Sequence, residues 1–241
     1  MTASGPPPSC AECGIRHRAV CARCDDDELE QLEAVKFYRR FPAGQPIAWA
    51  GDPAEVVASV VSGVVVLSQT LEDGRAQTVG LLLPSDFLGR PGRETVAFDA
   101  SAAGEVTLCC FRRKPFERLL ADSPHLTSRL LEMTLDELDA ARAWMSVLGR
   151  QTARERVASL LWTVARRQTA LTPGRGRAGQ PLRLDFPLTR EAMANCLGLT
   201  LETVSRQLGA LARDGLLVLG PGRALALPDI DHLAAEIGEA A

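Results

Sequence analysis

Four of the seven cysteines lie within a short segment near the start of the chain. Cys10, Cys13, Cys21 and Cys24 follow the pattern C-x2-C-x7-C-x2-C. Cysteine pairs separated by two residues can bind one metal centre from a single turn, or can form a thiol redox pair. We expect a metal or redox role rather than disulfides, because nothing before Cys10 resembles a signal peptide and cytoplasmic thiols stay reduced.

The overall composition is that of a globular protein, with 241 residues of which 46% are hydrophobic and 24% are charged. No apolar run approaches the length of about 18 residues that a membrane helix needs, so we expect a cytoplasmic protein without membrane contact. The net charge is −3, yet Gly149–Leu227 contains twelve arginines, no lysine and only five acidic residues. This Arg-rich segment indicates either a module that meets phosphates or a solvated surface.

The first half of the chain predicts one short helix followed by a β-rich domain. The run DDDELEQLEAV has acidic residues at its start and leucines on one face, which is typical of an amphipathic helix. From Phe37 to about Phe111, short runs rich in Val and Leu are separated by glycines, with Asp73-Gly74 as a hairpin turn. This pattern favours a barrel-like antiparallel fold.

A long helix is predicted after His125, because about 25 residues up to Gly149 contain neither glycine nor proline. Apolar residues recur along it every three to four positions. A helix packed on its own domain would show the same stripe, but the length and the small alanines favour a seam between two copies of the chain. The interface residues that we expect are Leu131, Leu135, Leu138, Ala141, Met145 and Leu148.

A helix-turn-helix is predicted between Phe186 and Leu219. Thr189 is placed to cap a first short helix, Gly198 stands at the turn, and Thr200 is placed to cap the second helix. The later sequence LLVLGPGRALAL predicts a hairpin, so this is a winged version of the motif.

The second helix of such a motif enters the DNA major groove with its N-terminal residues. There the exposed residues are Glu202, Ser205 and Arg206, whose side chains can accept from cytosine, contact a base or phosphate, and pair with guanine. Solvent-facing helix residues without a DNA role are the alternative. Cys196 on the first helix is expected to be a small buried core residue.

The chain as a whole resembles the CRP/FNR family of transcription regulators. Phe41-Pro42-Ala43-Gly44, Ala50-Gly51-Asp52 and Val61-Ser62-Gly63 resemble the first strands of the family's β-roll. The N-terminal cysteines and Glu202–Arg206 (ETVSR) resemble the FNR class within it, and RHRAVCARC, LLLPSDFLGRPGRET and LEMTLDELDAAR are similar to its FnrL/FnrN type from alphaproteobacteria. The match covers about residues 9–230.

The resemblance implies an α+β fold. A β-roll like a cyclic-nucleotide-binding domain is followed by a long dimerisation helix and a C-terminal winged helix-turn-helix. The parts expected are a cysteine-rich segment at 1–27, the roll at 28–124, the dimerisation helix at 125–149, the DNA-binding domain at 150–230 and a tail at 231–241.

The resemblance also separates two classes of ligand. Members that bind cyclic nucleotides hold the phosphate with an arginine, whereas Phe98-Asp99-Ala100-Ser101 stands at about that place here. An acid near a phosphate is unfavourable, so no cyclic nucleotide is expected. FNR-class members instead hold a [4Fe–4S] cluster with three N-terminal cysteines and one cysteine of the roll.

The expected cluster ligands are Cys10, Cys13, Cys21 and Cys110. The family pattern C-x2-C-x7-C selects Cys21 over Cys24, and alignment of EVTLCC with the family strand selects Cys110 over Cys109. Neighbouring residues of a strand point to opposite faces, so only one of the latter pair should reach the cluster. A zinc ion bound by the four N-terminal cysteines, or a metal-free thiol switch, is the alternative.

The function implied is an oxygen-responsive regulator and not an enzyme. A homodimer with an intact cluster would bind palindromic, TTGAT-like double-stranded DNA when oxygen is low, and roll loops at Glu72–Arg75 and Ser85-Asp86 would contact RNA polymerase. The recognition residues would be Glu202, Ser205 and Arg206, supported by Thr189 and Thr200. The three histidines suggest no catalytic set, and there is no Gly-rich phosphate loop.

Overall fold

The computed structural model of the protein describes residues 9–70, 72, 74, 76–171 and 181–238. The chain divides into two compact units. One comprises Met1–Leu67 and Leu81–Leu138, and the other comprises Ser68–Gly80 and Asp139–Ala241. Within the described parts, no helix combines the length and the apolarity needed to cross a membrane.

The N-terminal half of the chain is a β-roll with flanking helices, as expected. Its strands are β1 (Lys36–Phe41), β2 (Pro46–Ala48), β3 (Val56–Ser62), β4 (Val65–Thr70), β5 (Ala76–Leu82), β6 (Phe87–Leu88), β7 (Asp99–Ala102) and β8 (Val106–Arg112). They form two four-stranded sheets, in the orders β1-β8-β3-β6 and β2-β7-β4-β5. Asp73 of the expected hairpin turn lies outside the described residues.

Three helices accompany the roll, namely α1 (Asp26–Val35), α2 (Arg113–Asp122) and the 27-residue α3 (Pro124–Arg150). Asp25 and Glu28 form a capping box, in which each side chain accepts a hydrogen bond from the other's backbone N–H. This fixes the point at which the cysteine segment becomes helical. The buried Leu29 and Leu32 then hold α1 in the core.

Strand β8 lies between two hydrophobic cores. Cys109 and Phe111 pack outside the roll with Val20, Leu29 and other residues of the N-terminal segment and helices. Val106, Leu108 and Cys110 pack in the roll interior with Phe41 and Val60. Both faces of β8 are therefore buried. Antiparallel sheets more commonly expose one of their two faces to solvent.

The C-terminal half contains the predicted winged helix-turn-helix. Its elements are α4 (Ala153–Leu171), β9 (Leu182–Asp185), α5 (Arg190–Leu197), α6 (Leu201–Arg213), β10 (Val218–Leu219), β11 (Ala224–Leu227) and α7 (Ile230–Glu236). Strand β9 was not predicted. It pairs with β11, so the wing is a three-stranded sheet in the order β10-β11-β9 rather than a simple hairpin.

The segment expected to be a tail contains α7, which packs against α4. Leu233 and Ala234 of α7 are buried. Arg154 of α4 donates to Glu236 of α7, with 2.7 Å between Nε and Oε1, and its Nη1 lies 2.6 Å from Oδ2 of Asp214. This half-buried ion-pair group connects the C-terminal helix to the end of α6.

Candidate functional site

Four thiols from two distant parts of the sequence line one cavity in the N-terminal unit. Cys10, Cys13 and Cys21 come from the N-terminal segment, and Cys109 comes from β8. The rest of the lining is mainly apolar and consists of Ile15, Ala19, Val20, Leu32, Tyr38, Ser59 and Phe111. The arrangement places four soft sulfur atoms, which are suitable donors for a metal group, in mainly apolar surroundings.

Consecutive turns of the N-terminal segment present these sulfurs. The N–H of Cys13 donates to the carbonyl of Cys10 over 3.5 Å, and the N–H of Arg16 donates to the carbonyl of Cys13 over 3.0 Å. The N–H of Ala19 then donates to the carbonyl of Ile15 over 2.9 Å. The spacing C-x2-C thus places Cys10 and Cys13 on one turn, and the next turns return the chain to the cavity at Cys21.

The structure corrects the choice between the two cysteines of β8. Cys110 does not reach the N-terminal cysteines, because its side chain is buried in the roll interior with 1% exposure, where its Sγ lies 3.9 Å from the carbonyl oxygen of Leu108. Cys109 takes the place that was expected for Cys110. As expected, the two neighbouring cysteines point to opposite faces of β8. The one that faces the N-terminal segment is Cys109 and not Cys110.

Cys24 is placed differently from the other three N-terminal cysteines. It is buried in the same core as Leu29 but does not line the cavity. Its carbonyl accepts a hydrogen bond of 3.3 Å from Nη2 of Arg16. The four N-terminal cysteines therefore do not form one site by themselves.

Burial favours the protonated form of three of the thiols that line the cavity. Desolvation raises the pKa of Cys10 to about 12 and that of Cys109 to about 12, and it also raises the pKa of Cys21. Metal binding requires thiolates, so loading of this site must release protons.

Glu33 and Lys36 hold the backbone at Cys10. Oε2 of Glu33 accepts the N–H of Cys10 over 2.5 Å and lies 2.8 Å from Nζ of Lys36. Hydrogen bonding from Lys36 lowers the pKa of Glu33 to about 2, so the carboxylate stays charged. Lys36 also lies over the ring of Tyr38, a residue of the cavity wall, at 5.4 Å from the ring centroid.

The separation of the sulfurs tests which metal group would fit. All seven cysteines lie in the described residues, and no three of them have sulfurs within 4.8 Å of one another. Tetrahedral zinc with Zn–S bonds of about 2.3 Å brings its sulfurs to about 3.8 Å apart. In the metal-free chain no three of these thiols are thus as close together as the sulfurs of a formed zinc site, and four thiols are also the usual donor set of a [4Fe–4S] cluster.

One other group has the ligand types of a metal site, namely Asp25, Glu28 and His125. Its carboxylates already serve the structure, because they form the capping box of α1 and Glu28 also accepts from the hydroxyl of Ser123. Nδ1 of His125 lies 3.2 Å from Glu28. We assign this group to the junction between α1 and α3.

The helix-turn-helix has the predicted caps and turn. The hydroxyl of Thr189 accepts the N–H of Ala192 over 3.1 Å, and the hydroxyl of Thr200 accepts the N–H of Thr203 over 3.2 Å. Gly198 has a φ of 60°, which allows the tight turn between α5 and α6. Cys196 is buried, as expected.

The residues expected to read bases lie on the first two turns of α6. Glu202 and Arg206 are exposed, and Ser205 is half-buried. Nη1 of Arg190 on α5 lies 3.4 Å from the hydroxyl of Ser205, and Nη2 of Arg206 lies 3.4 Å from the hydroxyl of Thr203. These long contacts leave the guanidinium groups available for phosphates and base edges.

The apolar stripe of α3 has no cover within the described chain. Leu131 is 59% exposed, Leu135 53%, Leu138 44% and Met145 74%. Ala141 is also exposed and Leu148 is half-buried. Four large apolar side chains in one row are unusual on the surface of a monomer and mark an interaction face.

Two family models match the two halves of the chain. The cyclic nucleotide-binding domain matches residues 38–123, and the Crp-like helix-turn-helix domain matches residues 155–236. The transcriptional activator protein FnrL of Cereibacter sphaeroides is 58% identical over 230 residues, which are 95% of this chain and 92% of that protein. The chain belongs to the CRP/FNR family.

Other members of the CRP/FNR family agree with this assignment. The nitrogen fixation regulation protein FixK of Bradyrhizobium diazoefficiens is 37% identical and covers 87% of this chain and 86% of its own length. The solved structure of FixK2 from Bradyrhizobium japonicum has a TM-score of 0.74 at 31% identity and covers 86% of this chain and 98% of that one. The chain is accordingly a DNA-binding transcription regulator of this family and not an enzyme.

Sequence reasoning missed several residues of the cysteine site. Cys109 was passed over because both faces of β8 are buried, so hydrophobic periodicity carries no information about which face meets the N-terminal segment. Tyr38 pairs directly with Cys109 in the register of β1 and β8, and a correct pairing of these strands would have identified it. Glu33 carries no sequence signal because its partner is a backbone N–H.

Proposed function

We propose that this protein is an oxygen-responsive transcription activator that carries a [4Fe–4S] cluster on Cys10, Cys13, Cys21 and Cys109. The observation that carries the proposal is the convergence of three thiols from one segment and one from the roll on a single, mostly apolar cavity. Four thiolates are the usual ligand set of such a cluster. Cys24 does not line the cavity, which weighs against a zinc site built from the four N-terminal cysteines alone.

The cluster would supply an oxygen-sensitive redox group to the chain. The four cysteines would ligate it as thiolates, and Phe111, Leu32 and Val20 would limit the access of water. The contact of Glu33 with the N–H of Cys10 would hold the first ligand in place. The cluster would thereby link the N-terminal segment to β8, two parts of the chain that are otherwise distant in sequence.

We further propose that the protein acts as a cytoplasmic homodimer on palindromic, TTGAT-like DNA. The exposed stripe of α3 supports a dimer, because a second copy of the same helix would cover it. Glu202, Ser205 and Arg206 would read the bases of each half-site, and half-sites one helical turn apart would match the two-fold symmetry. The name of the relative FnrL supports activation as the outcome.

RNA polymerase is the proposed protein partner, and no cyclic nucleotide is proposed. Oδ1 of Asp99 accepts the N–H of Ala50 over 2.9 Å. This carboxylate lies at about the place where members that bind cyclic nucleotides have an arginine, and its charge would repel a phosphate there. Ser85 of the Ser85-Asp86 turn is buried, so of this turn we propose only Asp86 for polymerase contact, together with the Glu72 hairpin. Arg75 of that hairpin lies outside the described residues.

The proposal is tested by the absorbance of anaerobically purified protein near 400 nm, before and after exposure to air, with iron and sulfide assayed on the same sample. We expect a broad band that bleaches in air and about four irons and four sulfides per chain. A colourless protein with one zinc per chain would leave the DNA-binding function standing and overturn the oxygen response.

A further inference from the structure

Arg129 of α3 contacts the backbone of the cysteine segment. Its Nη2 donates to the carbonyl of Arg18 over 2.5 Å, and its Nε donates to the carbonyl of Ala19 over 3.4 Å. Both carbonyls lie between Cys13 and Cys21, and Ala19 itself lines the cavity. The guanidinium therefore holds the part of the loop that delivers Cys21.

A second contact between the same elements runs through Glu132. Oε2 of Glu132 lies 2.6 Å from Nη1 of Arg129, and its Oε1 lies 2.6 Å from Nη2 of Arg23 in the cysteine segment. One carboxylate thus orients Arg129 and also reaches the segment from the other side. The side chain of Arg129 is only 18% exposed, so these partners satisfy donors that water reaches poorly.

The exposed stripe occupies the opposite side of the same helix. At 3.6 residues per turn, Arg129 and Leu131 point about 160° apart. Leu126 and Met133 share the side of Arg129, Leu130 lies at its flank, and all three pack into the core that contains Cys10 and Cys109. One continuous helix therefore contacts the cysteine site on one face and carries the proposed dimer stripe on the other.

We propose that Arg129, oriented by Glu132, is the positioning residue that couples the state of the cysteine site to dimerisation through α3. When the loop holds its place around the cavity, the carbonyls of Arg18 and Ala19 fix the guanidinium and hence the first half of α3. When the loop leaves, the guanidinium loses both backbone acceptors, and the first half of α3 loses the contact that fixed it to the loop. The helix can then shift as a rigid body, which moves Leu131, Leu135 and Leu138 relative to the second copy of the chain.

This inference rests on the proposed function, and its test separates the two. The dimer dissociation constant is measured by sedimentation velocity for cluster-loaded and metal-free protein, for the wild type and for Arg129→Met. Methionine keeps the apolar stem but removes all donors. Arg118→Met, an exposed arginine on α2, is the matched control.

We expect the wild type and Arg118→Met to dimerise at least about tenfold more tightly when loaded than when metal-free. In Arg129→Met this ratio should fall to about one while iron and sulfide per chain stay at the wild-type level. Arg129→Lys, which keeps the charge but not the two-pronged geometry, should give an intermediate ratio. A wild-type ratio in loaded Arg129→Met would overturn the coupling role.

Two further outcomes are distinguishable from these. If the wild type binds no iron, the proposed function fails first. If only Arg129→Met and Arg129→Lys fail to load iron, Arg129 merely holds the loop and the coupling role is overturned. Hydrogen exchange on the metal-free proteins gives a readout without the cluster, since we expect faster exchange at residues 18–22 in Arg129→Met and unchanged exchange there in Arg118→Met.

Discussion

Cys109 and Cys110 are neighbours in β8, yet their thiols lie in two separate hydrophobic cores. Cys109 shares its core with Cys10 and Cys24, whereas Cys110 packs with Phe41 and Val60 inside the roll. One strand thus supplies a candidate ligand on one face and a structural side chain on the other. This relationship makes the two cysteines a matched pair for mutagenesis.

Replacement of Cys109 by alanine should abolish the cluster, because the cavity would lose one of four thiolates. Cys110→Ala removes a thiol of the same size from the same strand and should leave the iron and sulfide content at the wild-type level. Absorbance near 400 nm and iron analysis of the two anaerobic variants decide between them. The reverse result would restore Cys110 as the ligand.

Replacement of Arg206 by alanine should remove specific DNA binding without unfolding the protein. Arg206 is exposed at the N-terminal half of α6, and loss of one bidentate contact to guanine costs about 1–3 kcal/mol. Binding should therefore weaken about 5–150-fold on a TTGAT-like palindrome and much less on unrelated DNA. Arg213→Ala, at the exposed C-terminal end of the same helix, is the control for loss of charge in fluorescence-anisotropy titrations at fixed salt.

A charge in the stripe of α3 should prevent dimerisation. Leu135→Glu places two like charges in a seam that otherwise buries leucine, so we expect at least about tenfold weaker association in sedimentation experiments. Asp136→Asn changes the charge by one unit in the opposite sense, at a neighbouring exposed position that points away from the stripe. Equal effects of the two variants would exclude the stripe as the interface.

The stability of the metal-free protein should depend on Cys196 at alkaline pH. Burial raises the pKa of Cys196 from 9.0 to about 12, so above pH 9 the unfolded state loses this proton while the folded state keeps it. The contribution is complete below pH 9 and is lost as the pH rises toward 12, by at most about 1.4 kcal/mol per pH unit.

Urea unfolding at pH 8, 9 and 10 tests this dependence against Cys196→Ala. The stability of the wild type relative to the variant should fall only slightly from pH 8 to 9 and more steeply from pH 9 to 10. A difference that is independent of pH over the whole range would show that Cys196 ionises equally in both states. The comparison cancels the titration of lysines and tyrosines, which both proteins share.

Much of the DNA-binding half could be predicted from the sequence because its signals are local. A threonine that caps a helix and a glycine with positive φ act on residues at most a few positions away, so Thr189, Gly198 and Thr200 were identified correctly. The row of apolar residues on α3 was equally readable, since a helix brings residues of fixed spacing to one face. Strand β9 was missed because its pairing with β11 spans about forty residues, nearly all of the motif.

The sequence by itself determined that there are two groups of cysteines and that a long helix separates them from a winged helix-turn-helix. It also determined that, of two adjacent residues in a strand, only one can face a given side of the sheet. Tertiary structure alone decided that Cys109 rather than Cys110 meets the N-terminal thiols and that Arg129 binds the carbonyls of Arg18 and Ala19. The choice between the two cysteines is hidden because β8 is buried on both faces. The contact of Arg129 is hidden because its acceptors are backbone carbonyls, which every residue has. Neither choice leaves a distinctive side-chain pattern in the sequence.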